Sequence, residues 1–194
     1  MNYMISNSNV VPKGVCRLLT IQNVPEREYL RIGRSQVGTF PDDACFKMSP
    51  DFPKDVKLAD VLSNRSRLLV VSERLKNLLS ASDALKHNEV YEVGILNHKG
   101  RREKAKYFFI HQINFPACAD RRQTVGEEDP LAPDEYGLLT KLVLDESKID
   151  SALAIFRAAE YPARPFFRRD IVAKIKAADM TGIAFFELDG FTKF

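Results

Sequence analysis

The sequence is short of cysteine, of clustered glycine and of long apolar runs, and each shortage removes a class of protein. Three cysteines, Cys16, Cys45 and Cys118, are an odd number without close spacing, which weighs against a secreted disulfide framework and a four-thiolate zinc site. No stretch approaches the roughly 18 apolar residues of a membrane span. Residues 1–10 lack the basic start and apolar run of a signal peptide. A reducing compartment, the cytoplasm, is therefore expected, with no membrane partner. Glycines nowhere open a helix in a Walker or dinucleotide pattern, so no nucleotide cofactor is expected. Residues 33–38 miss the nucleophile-elbow spacing by one residue and read as a turn. His87, His98 and His111 are scattered rather than paired at metal-ligand spacing, so neither a metal nor a catalytic histidine is expected. Charge of one sign is scarce too. The net of +3 is too small to argue for nucleic acid by itself.

What is present describes a globular chain. It is 45% apolar and 28% charged, and a chain of this length buries about 70% of its extended surface, a core that needs no staple. Residues 1–55 hold short apolar pieces at 15–21 and 44–48, interrupted by Pro12, Gly14, Pro25, Gly33, Gly38, Pro41, Pro50 and Pro53. Such punctuation predicts short strands and turns rather than long helices. Residues 1–45 are expected as a strand-and-turn segment packed on a main domain at 46–194. Residues 68–71 form a run of buried-strand type, and Leu75, Leu78 and Leu79 recur at helical spacing behind Ser72. Ser72 can cap that helix while Glu73 complements its dipole. Val90, Tyr91, Val93, Ile95 and Leu96 predict a strand, residues 97–100 a turn and 107–115 a returning strand, together a hairpin with a basic tip.

In the second half Pro165-Phe166-Phe167 leads into Arg168-Arg169-Asp170, and Ile171, Val172, Ile175 and Ala178 mark one helical face. Thr181-Gly182 is expected to end that helix before a strand at 183–188. Apolar segments at 138–144 and 153–156 are expected in the same sheet. The fold class is thus α+β, a mixed or mainly antiparallel sheet with a few short helices and two loosely similar strand–helix–strand units.

Charge is patterned beneath the nearly neutral total. Residues 97–122 carry seven basic side chains against Glu103 and Asp120, whereas residues 127–135 carry five acids and no base. Residues 116–135 show no periodicity, and loops beyond roughly 15 residues are usually functional; Cys118 is expected to be the exposed thiol there. Three groups are therefore candidate partner-binding residues: Arg101, Arg102 and Lys104; Glu127, Glu128 and Asp129; and Tyr161, Arg164, Phe167, Arg168 and Arg169. Arg168 and Arg169 stand at the positive end of a helix dipole, a mildly unfavourable place that favours a role for them. An alternative use of the basic tip is nucleic-acid binding, with Tyr107 and Phe108 as stacking rings.

Residues 58–62 (Leu-Ala-Asp-Val-Leu), 69–76 (Leu-Val-Val-Ser-Glu-Arg-Leu-Lys), 155–157 (Ile-Phe-Arg) and 179–185 (Asp-Met-Thr-Gly-Ile-Ala-Phe) resemble, in order and spacing, a bacterial polymorphic-toxin immunity family, eleventh in the immunity series and earlier a domain of unknown function. The matching pieces cover about residues 46–188 and describe caps, strands and a glycine turn, so no catalytic residue is carried over. The resemblance implies a cytoplasmic protein, encoded beside a secreted toxin, that binds the effector domain of that toxin and blocks it without catalysis or cofactor.

Overall fold

The computed structural model describes residues 2–188. In chain order its elements are β1 (Tyr3–Asn7), β2 (Cys45–Lys47), β3 (Leu69–Ser72), α1 (Glu73–Ala81), β4 (Asn88–Leu96), β5 (Tyr107–Gln112), β6 (Val125–Asp129), β7 (Ala132–Lys141), β8 (Ile155–Ala158), β9 (Tyr161–Arg168), α2 (Arg169–Ala177) and β10 (Ala184–Phe186). One antiparallel sheet has the order β10-β1-β9-β8. A second has the order β2-β4-β5-β3, antiparallel except where β2 runs parallel to β4. The fold is α+β with mainly antiparallel sheets, as the sequence predicts.

Alternation along the strands creates three cores. Successive side chains of a strand point to opposite faces, so Phe109 and Ile110 of β5 enter different clusters, as do Ile155 and Phe156 of β8 and Phe166 and Phe167 of β9. The outer face of the second sheet packs Phe46, Ile95 and Phe109 under the N-terminal loops, with Leu18 and Ile21. Between the sheets, Val71, Ile110, Ile155 and Phe167 meet Leu75 and Leu79 of α1 and Ile171 and Ile175 of α2. The far face of the first sheet packs Tyr3, Ile5, Phe156 and Phe166 against Leu139, Leu142 and Leu144. Each fully buried Phe contributes about 1.5–3 kcal/mol over an exposed one. Phe167, at 1% exposure, is one of them; its expected place at a partner surface is corrected, because alternation on β9 turns it inward.

Residues 1–45 are shared between the sheets. β1 lies between β9 and β10, while residues 15–22 pack on the second sheet and its flank and pair with them through single bridges, such as Leu18 with Met48 and Gln22 with Cys45. At α1 the capping expectation holds: Ser72 Oγ accepts from the Leu75 N–H at 3.2 Å, and Glu73 occupies the first turn.

Three expectations are corrected. The second helix stops at Ala177, and Asp179 at φ +48° turns the chain, before Thr181-Gly182 is reached. Residues 116–135 are not one loop, since β6 and the start of β7 form a hairpin within them. The segment at 138–144 does not join the main sheet: its strand portion belongs to β7, in a two-stranded sheet of its own.

Candidate functional site

The three candidate surfaces lie on different elements. At the basic tip, Asn97 Oδ1 accepts from the Lys99 and Arg101 N–H groups at 3.0 and 3.1 Å, and Asn97 Nδ2 donates to Glu103 at 2.9 Å. This closes the turn from inside and sends Arg101 and Lys104 outward, both exposed. Arg102 lies 3.5 Å from Glu92, and Lys106 3.9 Å from Glu73. The stacking pair expected beside them is not formed. Tyr107 is 2% exposed and donates its hydroxyl to the Ala59 carbonyl at 2.7 Å; Phe108 is half-buried, with the Lys76 ammonium 5.4 Å from its ring centre.

Acidic charge gathers on the β6–β7 hairpin. Its pairing puts Glu127 opposite Leu138 and Glu128 opposite Tyr136, with shifts of register between. Leu139 is buried in the third core, and the Tyr136 N–H donates to the Glu160 carbonyl at 2.8 Å; these contacts hold one side of the hairpin to the body. Glu128 and Asp134 share Arg121, at 3.2 and 3.6 Å, and Asp129 turns in to accept from the Leu131 N–H at 2.8 Å. Glu127 stays exposed. Burial, with the charge of Asp129 added, pushes the Glu135 carboxyl above its ordinary pKa. Among these acids stand apolar side chains in water: Leu131 is 95% exposed, and Val125 and Leu138 are also exposed. The basic tip caps one end of β4 and β5. The other end of β5 leads to Asn114 and Pro116, which accept from the Arg157 and Ala159 N–H groups on the hairpin side.

The third group, residues 161–169, is largely used internally. Arg168 grips Asp170 with two bonds, at 2.7 and 3.1 Å, and reaches the Ser151 carbonyl at 3.1 Å. Arg169 forms a two-bonded pair with Glu187. These carboxylates explain how two arginines tolerate the positive end of α2. Tyr161 and Arg164 are half-buried along β9.

A buried acid and a half-buried one organise the surroundings. Asp60, 7% exposed, accepts from Ser72 Oγ at 2.9 Å, from the Thr181 N–H at 2.9 Å and hydroxyl at 3.1 Å, and from Arg74 at 3.4 Å. The scattered motif pieces at 58–62, 69–76 and 179–185 thus meet at one carboxylate. Glu89, which the sequence reading passed over, accepts from the Gln36 N–H at 3.0 Å, from Tyr91 at 2.6 Å and from Ser35, and lies 3.1 Å from His111 Nδ1. Burial pushes the Glu89 carboxyl up, yet these donors together hold it below its ordinary pKa. His111, 1% exposed, is held low by burial. An acid on an alternating strand reads as solvent-facing, so only the fold reveals this cluster.

Cys118 is corrected as well: it is fully buried, and desolvation pushes its thiol up to about 12, the opposite of a reactive thiolate. Among the described residues no three His, Cys, Asp or Glu side chains are grouped to hold a metal ion, and no helix is long and apolar enough to cross a membrane. Comparison with curated proteins finds no match. A family model, described as Immunity protein family (Imm11), matches residues 8–189.

Proposed function

The chain belongs to the Immunity protein family (Imm11), and from that premise we propose that it is a non-catalytic cytoplasmic protein that neutralises one cognate secreted toxin by binding and occluding its effector domain. The observation that carries the choice of surface is the β6–β7 hairpin, which carries five acids together with Leu131, Val125 and Leu138 exposed to water. Solvent-exposed leucine costs free energy that association recovers, and a few apolar anchors ringed by charge are the usual source of affinity in an interface of about 1,600 Å². The acidic ring selects a basic cleft on the toxin and speeds encounter with it. The basic tip is left for a second contact, and with Tyr107 buried it lacks one of the rings that would suit it to single-stranded nucleic acid.

The test is a tagged pull-down from the host at low and physiological salt, with and without nuclease. Recovery of the C-terminal part of one large modular secreted protein, insensitive to nuclease, supports the reading. Replacing Glu127, Glu128 and Asp129 together with Ser is then expected to weaken that complex at least tenfold, while Arg101→Ser with Arg102→Ser changes it less. Recovery of nucleic acid alone, or of proteins released by nuclease, overturns the reading.

A further inference from the structure

Where the turn before β3 meets the ends of β1 and β9, the surface dips into a cavity of about 220 Å³. Arg67 reaches it from the turn and Arg164 from β9; Ser8 and Asn9 supply polar groups, and Leu69 and Ile183 supply apolar ones. Among the described residues none that lines it is acidic. Both guanidinium groups act on the Tyr161 hydroxyl at its edge, which burial pushes up while Arg164 and then Arg67 pull it back.

The turn that presents Arg67 is fixed from behind. Its backbone sits at φ +54°, a left-handed conformation that costs a non-glycine residue about 1–2 kcal/mol. Asn64 ties the turn by accepting from the Leu68 N–H at 3.0 Å and donating to the Leu68 carbonyl at 2.8 Å. Arg157, 4% exposed, donates to the Arg67 carbonyl at 2.9 Å, to Gln112 Oε1 at 3.0 Å and to the Pro162 carbonyl. All three acceptors are neutral. Burial draws the Arg157 pKa down only to about 10, so Arg157 stays a cation at neutral pH and keeps its hold on the Arg67 carbonyl.

We propose that this cavity binds a carboxylate carried on a short aliphatic stem, the chemistry shared by a glutamate side chain and a free dicarboxylate. The guanidinium forks match a carboxylate head, and Leu69 and Ile183 cover a stem that a bare phosphate lacks. A volume below the roughly 300 Å³ of drug-sized sites suits a group of side-chain size. This site is independent of the toxin reading and stands or falls separately.

The experiment is an amide NMR titration of the full chain at constant ionic strength with glutarate, with the blocked tripeptide acetyl-Ala-Glu-Ala-amide and with inorganic phosphate. Arg67→Gln is compared with Arg101→Gln, which removes the same charge at the distant tip. The Arg67 side chain is exposed, and the bonds that fix its turn run through its backbone, so the variant keeps the fold. Saturable shifts at Ser8, Asn9 and Arg67, weakened at least tenfold by Arg67→Gln and less than twofold by Arg101→Gln, are expected. Binding of the peptide assigns the carboxylate to a protein side chain, and binding of glutarate alone assigns it to a free dicarboxylate. Response to phosphate alone, absence of saturation, or equal loss in the two variants overturns the proposal.

Discussion

Gly182 takes φ +81°, and a Cβ built there would stand 2.1 Å from the Val61 carbonyl oxygen. Gly182→Ala therefore meets both left-handed strain and a backbone clash, and is expected to cost at least 2 kcal/mol, lowering Tm by roughly 4–8 °C for a chain this size. A calorimetric scan reads this directly. The Glu89–His111 pair predicts a pH dependence. His111 has a folded pKa below its ordinary value because burial disfavours imidazolium. As pH falls below about 6.5 the unfolded chain takes up the proton first, so stability present above that pH is lost on acidification. Glu89 acts in the same direction at lower pH: its folded pKa is depressed, so its contribution holds above about pH 4.3 and is lost as pH falls through the folded value. The urea midpoint is expected to fall between pH 7.5 and 5.5, and His111→Gln to flatten that slope. At this scale, what sequence made legible was local. Ser72 as a cap needs only its own helix, whereas Asp60, Glu89 and Arg157 each acquire their roles with the help of a partner more than 50 positions away in the chain.

Among the elements, the β6–β7 hairpin separates support from recognition. Leu139 faces the third core and Leu131 faces water. Leu139→Ala is expected to destabilise by about 2–4 kcal/mol, while Leu131→Ser changes stability by less than about 0.5 kcal/mol yet weakens the toxin complex; denaturant titration and a binding titration on the same two variants separate the effects. α1, α2, β3, β4 and β5 were readable because their apolar spacing is regular. The hairpin was not, because Gly126, Pro130, Pro133 and Gly137 interrupt the alternation and three register shifts break its pairing. The pairing of Arg169 was not legible for a related reason: Glu187, which neutralises it, lies 18 residues on.

At the scale of the molecule, the cysteines report on separate cores. Cys16 lies in the first and Cys118 in the third, and burial pushes their thiols up to about 11 and 12; Cys45 is also buried. A thiol reagent at pH 8 is expected to label none of the three in the native protein and all three in urea. Labelling along one urea curve, coincident with circular dichroism, means that the cores unfold together; separate midpoints for Cys16 and Cys118 mean that they do not. The α+β class was legible from element types alone, but the division into two four-stranded sheets was not, since it depends on β1 finding partners near the far end of the chain. That same placement sets a timetable for synthesis. The ribosome makes β1 first and β10 last, and at 5–20 residues per second the early strand waits roughly 10–35 s for its neighbours. For a protein in the proposed role, newly started chains give no protection during that interval, so a cell that makes the toxin must already hold finished copies.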